Sequence, residues 1–190
     1  MIKVVQLGLL VFLTGCSITA PPTSNISRDL LTPAELGESV AVEQLVSFVF
    51  NEKKQQMLVH MDIQPYALQL LAFDGFSTPL FKLKYDGRKL VKENYIPLVD
   101  DGMAKRILAD MQLVYWPVPR LNQQLASGGW MVEQTICQQG LSCRKLYLDD
   151  DLVAVVLYQN DKQWHSDVSI NNLTANYQIE ISTLKVQHHE

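Results

Sequence analysis

Histidine and aspartate at short spacing could carry out acid–base chemistry in this chain. His60 and Asp62 are two residues apart in a predicted strand, so they share one face. They are the only acid–base pair that local spacing suggests, and His60 and His165 are each expected to be core or edge residues. The sequence has neither a Gly-x-Ser-x-Gly motif nor a glycine-rich phosphate loop. We therefore predict no enzyme, no catalytic residue and no cofactor, and a hydrolase using His60 and Asp62 is the last of three hypotheses.

Two cysteines, Cys137 and Cys143, flank the turn of a predicted β-hairpin. In an oxidising compartment they would form a disulfide across this hairpin, and two free thiols or a metal site are the alternatives. A metal site is disfavoured because no histidine lies near them in the sequence. The run Asp149–Asp151 is expected to be a solvated turn, because three adjacent carboxylates cannot all point at one ion. No metal site is predicted.

A third cysteine, Cys16, ends a short apolar stretch at the N-terminus. Lys3 gives this stretch a positive start, the residues from 4 to 13 are almost wholly apolar, and Leu13-Thr14-Gly15-Cys16 resembles a bacterial lipobox. The resemblance implies cleavage before Cys16 and acyl chains such as palmitate on its mature N-terminus. An uncleaved anchor or an ordinary signal peptide is the alternative. Ser17, where aspartate would retain the protein at the inner membrane, resembles the address of an outer-membrane lipoprotein facing the periplasm.

The composition is that of a folded protein with a single core. Of 190 residues, 47% are hydrophobic and 19% charged, and the formal net charge is -4; these values argue against disorder. No basic patch points to nucleic acid, and no second stretch is apolar and long enough to cross a membrane. We predict a signal peptide over residues 1–15, a lipidated tether over 16–38 and one monomeric domain over 39–190.

Alternating apolar and polar residues predict antiparallel strands on both sides of a helical middle. A first meander of about five strands runs from Ser39 to Asn94, with Asp86-Gly87 as a strong hairpin signal. A second meander occupies the C-terminal third. This order favours an α+β protein with a single curved antiparallel sheet. We expect about 10–11 strands in this sheet, with the helices as a lid on its concave side.

The helical middle is predicted from an apolar stripe that recurs at spacings of four, four and three residues. Asp100 or Asp101 can cap this helix, and Pro117 ends it. A second short helix is predicted over residues 119–126, with Gly128-Gly129 after it. The stripe consists of Met103, Ile107, Met111 and Val114.

The order of these elements resembles the LolA/LolB fold, whose LolB members are outer-membrane receptors for lipoproteins. The local match runs from Tyr66 to Gly128, and residues 104–113 followed by Tyr115-Trp116-Pro117 look like an uncharacterised LolB-like lipoprotein family. Members of that family often accompany aryl-polyene gene clusters. The resemblance covers nearly all of the mature chain and implies a half-open β-barrel with a helical lid over an apolar cavity.

The resemblance also implies a membrane-active loop. LolB has a protruding leucine after its third strand, and the corresponding loop here carries Phe76 after Gly75. An exposed apolar side chain at a polar loop tip fits contact with lipid or a partner; folding back onto the core is the alternative. Ten residues are candidates for the cavity lining from their pattern alone: Phe48, Phe50, Leu68, Leu70, Phe81, Leu83, Ile107, Met111, Trp116 and Trp130.

Two functional hypotheses come before the hydrolase. The first is an outer-membrane-anchored lipoprotein that binds a hydrophobic acyl, lipid or lipoprotein ligand and assists its delivery to the outer membrane. Its expected partners are the membrane, through the N-terminal acyl chains, the ligand, and a periplasmic LolA-like carrier. The second is a structural lipoprotein of an envelope assembly with a filled core. A continuous apolar cavity beneath the helices distinguishes the first from the second.

Overall fold

A ten-stranded antiparallel sheet forms the body of the protein. The computed structural model describes residues 28–50, 53–97, 99–137 and 140–189, so Cys16 and the rest of the predicted signal and N-terminal tether lie outside the described residues. The first five strands are β1 (Val40–Phe50), β2 (Lys53–Gln64), β3 (Ala67–Phe73), β4 (Pro79–Tyr85) and β5 (Leu90–Asn94). The other five are β6 (Trp130–Ile136), β7 (Ser142–Leu148), β8 (Asp151–Tyr158), β9 (Val168–Asn172) and β10 (Tyr177–His188).

Two meanders meet in the centre of this sheet. The spatial order is β5-β4-β3-β2-β1-β10-β9-β8-β7-β6, so only β1 and β10 pair across the two halves. Within each meander, consecutive strands pair as hairpins, which is what the alternating pattern and the turn residues predict. The sheet is curved and open, and the predicted α+β fold class is confirmed.

The two helices connect the two edges of the sheet. The first, α1 (Asp101–Tyr115), begins at Asp100, whose side chain accepts a hydrogen bond from the Met103 N–H at 2.7 Å. The second, α2 (Val118–Leu125), follows Pro117. None of the helices in the described ranges is long and apolar enough to cross a membrane.

A buried arginine holds the C-terminal end of α1 against the sheet. Arg144 on β7 donates from Nη1 to the carbonyl oxygens of Leu113 at 2.7 Å and Trp116 at 2.8 Å. These carbonyls belong to the last turn of the helix, where no further intrahelical donor is available. Tyr158 on β8 adds a hydrogen bond from its hydroxyl to the Val114 carbonyl at 2.7 Å. The C-terminal half of α1 is therefore positioned by the second meander.

Residues 28–38, which the sequence pattern assigned to the tether, are packed onto the domain. Leu31 is only 1% exposed, and a short 3-10 helix at Pro33–Leu36 buries Leu36. The Gln112 side chain on α1 accepts from the Leu31 N–H at 2.9 Å and donates to the Leu31 carbonyl at 2.7 Å. The segment from Arg28 to Leu36 is thus attached to α1 and to the core.

The hairpin β6–β7 contains the disulfide expected from the cysteine spacing. Cys137 and Cys143 are bonded, with their Cα atoms 5.8 Å apart. Trp164 lies in a turn before β9. Its ring stacks on that of Tyr115 with centroids 4.2 Å apart, so packing against α1 takes precedence over strand pairing there.

Candidate ligand-binding cavity

A cavity of about 360 Å³ lies between the N-terminal part of α1 and the sheet. Its walls are the adjacent ends of β1, β2, β3, β4 and β10, together with the chain that enters α1 and the β9–β10 turn. The apolar lining consists of Val46, Phe48, Met57, Val59, Leu70, Phe81, Val99, Met103, Ile107, Met111, Ala175, Tyr177 and Ile179. The space is therefore mainly apolar and suits hydrocarbon.

Strand register explains why the sheet presents a continuous apolar wall. Val46 on β1 lies opposite Met57 on β2, and on β3 Ala72 lies opposite Phe81 of β4. Residues two apart on one strand share a face, which brings Phe48 beside Val46 and Val59 beside Met57. The apolar stripe of α1 faces this wall.

The predicted lining residues fall into two groups. Phe48, Leu70, Phe81, Ile107 and Met111 line the cavity. The side chain of Phe50 lies outside the described part of the structure. The other four are buried in the core away from the cavity: Leu68, Leu83, Trp116 and Trp130.

The two tryptophans instead hold the N-terminal segment. Trp116 donates from its indole nitrogen to the Thr32 carbonyl at 3.2 Å. The guanidinium of Arg28 lies 5.8 Å from the centre of the Trp130 ring. Their large apolar surface is thus used for the attachment of residues 28–32 and not for the cavity.

A buried polar cluster closes one side of the cavity. Asp110 on α1 lines the space, is 3% exposed, and accepts a hydrogen bond from Arg28 at 2.5 Å and another from the Tyr177 hydroxyl. Asn172 on β9 donates to the same hydroxyl at 3.1 Å. The cluster joins the N-terminal segment, α1 and the second meander at one point.

Burial controls the titration of this cluster. Loss of solvation raises the pKa of Asp110, and the nearby Arg28 guanidinium opposes that shift. Burial and the neighbouring Asp110 carboxylate raise the pKa of Tyr177. The tyrosine therefore stays protonated at neutral pH, and its hydroxyl donates a hydrogen bond to Asp110.

Two further charged residues, Asp100 and Arg106, line the cavity on the α1 side. Asp100 caps the helix through the Met103 N–H, whereas Arg106 is exposed. No hydrogen bond or ion pair joins Arg106 to another of the residues that the structure describes. Its positive charge also opposes the rise in the pKa of Asp110, four residues along α1, while its own donors are left available at the rim.

Sequence reasoning missed the polar part of the cavity. Asp110 and Arg106 lie four residues apart on α1, directly beside the apolar stripe that the pattern identified. A carboxylate that borders such a stripe indicates a polar site, and Asp110 provides this signal in the sequence. Arg28 gave no such signal, because it lies 82 positions from Asp110 in the chain.

The histidine–aspartate pair lies away from the cavity. His60 on β2 is exposed, and its Nδ1 is 4.0 Å from a carboxylate oxygen of Glu43. Asp62 instead lies 3.7 Å from His189 and accepts from Gln64 at 3.1 Å. Neither residue lines the cavity. Across the described ranges, no group of three or more His, Cys, Asp or Glu side chains could hold a metal ion.

Phe76 lies at the tip of the β3–β4 loop and is 93% exposed. The Asp74 carboxylate accepts from the N–H groups of Phe76 and Thr78, each at 2.8 Å, and these bonds lower the pKa of Asp74. Ser77 has a positive φ of 64°, which completes the tight turn. The loop therefore presents the phenyl ring to solvent in a defined conformation.

A family model matches residues 41–185, which include the sheet, both helices and the entire cavity lining. The chain belongs to the DUF3261 family. The description of this family is "Protein of unknown function (DUF3261)". No curated protein matches the chain.

Two solved structures are similar to this DUF3261 protein. One, from Vibrio parahaemolyticus, is provisionally described as an outer membrane lipoprotein-sorting protein domain; it is 9% identical, with 80% of this chain and 86% of that chain covered and a TM-score of 0.48. The other is a LolA superfamily protein from Nitrosomonas europaea, 7% identical, with 80% and 87% covered and a TM-score of 0.46. The assignment of the fold class here depends on the sheet topology described above.

Proposed function

We propose that this DUF3261 protein is an outer-membrane-anchored lipoprotein that binds an acyl- or lipid-type ligand, or the acyl part of a lipoprotein, and assists its delivery to the outer membrane. The observation that carries the proposal is the apolar cavity beneath α1. A scaffold with a filled core has no need of such a space.

Ligand binding would be driven by the burial of apolar surface, without a covalent step. Each square ångström of apolar surface removed from water contributes about 25 cal/mol. Methionine side chains line the cavity at Met57, Met103 and Met111. Because methionine is flexible and polarizable, these side chains can adapt to a mobile hydrocarbon chain.

The position of Phe76 supports a role in delivery. Leu58 on β2 pairs with Phe73, the last residue of β3, and the neighbouring Met57 lines the cavity. The loop that carries Phe76 therefore leaves the sheet at the same end as the cavity. A ligand and a membrane-contacting ring would lie on one side of the molecule.

The anchor at Cys16 would make the protein a stationary acceptor rather than a soluble carrier. Because residues from Arg28 onward pack onto the domain, the free part of the tether would extend from Cys16 no further than Arg28. The chain from Cys16 to Arg28 spans at most roughly 40 Å when fully extended. A LolA-like periplasmic carrier is the partner that would bring the ligand to this acceptor, which we expect to be a monomer.

Mass spectrometry of lipids extracted with the full chain tests the proposal. The protein would be isolated from membranes in nanodiscs, and the lipids bound in excess of an empty-nanodisc control would be identified. Ala175 lines the cavity from the β9–β10 turn. Ala175→Phe should fill part of the space and reduce ligand recovery severalfold, while leaving the core strands unchanged.

Thr174→Phe is the matched control, because Thr174 is the exposed neighbour of Ala175 and does not line the cavity. It should retain the ligand of the unmodified protein. Equal recovery from both variants, or the absence of any enriched lipid in the unmodified protein, would contradict the proposed function.

A further inference from the structure

The charged groups of the cavity rim differ in whether they already have partners. Asp110 is paired with Arg28 and hydrogen-bonded by Tyr177, and Asp100 accepts the Met103 N–H at the start of α1. Arg106 attracts Asp110 electrostatically, but it has no hydrogen bond or ion pair to another of the residues that the structure describes, and it is exposed at the cavity. The cation at this rim whose hydrogen-bond donors are unused is therefore Arg106.

The two carboxylates do not cancel this charge for an incoming anion. The guanidinium of Arg28 lies 2.5 Å from Asp110 and neutralises it locally. Asp100 lies at the N-terminal end of α1, where the helix dipole and its free N–H groups offset a negative charge. An anion that approaches Arg106 from the cavity side would meet a guanidinium with its full fork of donors.

The volume of the cavity limits what lies behind the rim. At about 360 Å³ it is near the lower end of the roughly 300–1,000 Å³ typical of small-molecule pockets. A space of this size suits one hydrocarbon chain, whereas the several chains of a phospholipid or a mature lipoprotein need more room. Phe48, Phe81 and Arg106 line the same space, so a ligand that fills it would meet both apolar and cationic side chains.

We infer that the cavity takes an amphiphile with one apolar chain and an anionic head group, and that Arg106 binds this head group. The guanidinium would donate two parallel hydrogen bonds to a carboxylate or a phosphate, because two of its N–H groups match the spacing of two oxygens on either anion. The inference rests on the proposed function and names the ligand class for the same cavity. A free fatty acid and a lysophospholipid both satisfy this chemistry.

Photolabelling of the full chain in phosphatidylcholine nanodiscs tests the inference. Four diazirine probes of equal chain length would be compared: a fatty acid, a lysophosphatidylglycerol, the corresponding fatty alcohol and a two-chain phosphatidylglycerol. Labelling would be quantified on peptides from β1, β2 and α1. A charge-assisted hydrogen bond is expected to give the single-chain anionic probes an apparent Kd about 10-fold or more below that of the alcohol.

Variants at the rim identify the responsible side chain. Arg106→Gln should remove the preference for anionic probes and leave labelling by the alcohol unchanged. Arg106→Lys keeps the charge and should therefore retain part of the preference for anionic probes. Arg120→Gln, on the exposed surface of α2, should leave that preference unchanged. Labelling by the fatty acid or the lysophosphatidylglycerol that is stronger than labelling by the alcohol supports the inference. The stronger of the two anionic probes identifies the source of the anion.

The outcomes separate this inference from the proposed function. Equal labelling by the acid and the alcohol, or labelling by the two-chain lipid as strong as that by single-chain probes, overturns the ligand class while the apolar cavity keeps its role. An unaltered preference in both Arg106 variants overturns the role of the arginine. A lack of cavity labelling by every probe overturns the proposed function itself.

Discussion

Arg28 and Asp110 form a buried ion pair, although they lie 82 positions apart in the sequence. Arg28 is 8% exposed and Asp110 is 3% exposed, and their charged groups are 2.5 Å apart. A buried ion pair gives little net stability compared with apolar residues, but removal of one partner leaves the other charged and unsolvated. The pair therefore fixes the N-terminal segment to α1 more through the cost of breaking it than through its own attraction.

Arg28→Met is expected to lower the free energy of unfolding by about 3 kcal/mol, because the Asp110 carboxylate would remain buried without its cation. Urea denaturation at neutral pH measures this change. Lys105→Met is the matched control, since Lys105 pairs with Asp29 at 3.3 Å from the same segment to the same helix but at the surface. The control should shift the unfolding free energy by no more than about 0.5 kcal/mol. Equal losses in the two variants would show that burial does not distinguish these pairs.

The edge strand β6 is protected by a side chain of α2. Asn122 donates to the Val132 carbonyl at 2.9 Å and accepts from the Val132 N–H at 2.7 Å. These two groups point away from β7, which pairs with the other side of β6. The amide of Asn122 thus occupies the place of a neighbouring strand, and the backbone groups of Val132 are not offered to another chain.

Asn122→Ala should expose this edge. We expect faster hydrogen exchange at the Val132 amide and a loss of about 1–2 kcal/mol in the free energy of unfolding, because two hydrogen bonds to the backbone are removed. Hydrogen exchange followed by NMR resolves that amide individually. Gln123→Ala alters the exposed neighbour and should leave the exchange rate unchanged; unchanged protection of Val132 in Asn122→Ala would contradict the assigned role.

Both exposed aromatic residues that flank β3 lie on hairpin turns, but at opposite ends of the sheet. Tyr66 precedes β3 and is 76% exposed, whereas Phe76 follows it and is 93% exposed. Seven residues of strand separate the two turns by roughly 23 Å. Only the end with Phe76 is shared with the cavity, so the proposed function assigns different roles to two similar side chains.

Phe76→Glu should leave folding intact and reduce transfer of a cavity-bound ligand to acceptor vesicles about 10-fold, since a carboxylate would replace a ring worth about 1.5–3 kcal/mol when buried in lipid. Transfer of a fluorescent fatty acid to vesicles is the measurement. Tyr66→Glu, at the far end, should transfer at the rate of the unmodified protein. If Phe76→Glu transfers at that same rate, Phe76 has no part in delivery.

The sequence predicted the fold more fully than it predicted the candidate site. Alternation along the chain predicted a first meander of about five strands from Ser39 to Asn94, and the helical stripe identified Ile107 and Met111, which line the cavity. These patterns are local, because the period of a strand or helix determines which side chains share a face. The cysteine spacing in the second meander likewise pointed to the Cys137–Cys143 pair.

Tertiary structure decided which of these faces enclose space and which are filled. Leu68 and Leu70 share one face of β3, yet only Leu70 borders the cavity. The difference depends on where α1 lies over the sheet, which is set by contacts such as that between Arg144 and the Leu113 carbonyl, 31 positions apart. Periodicity carries no information about such distances. The sequence alone therefore determined the strands, the helices and their apolar faces, whereas the cavity and the position of the exposed Arg106 at its rim arose only from their packing.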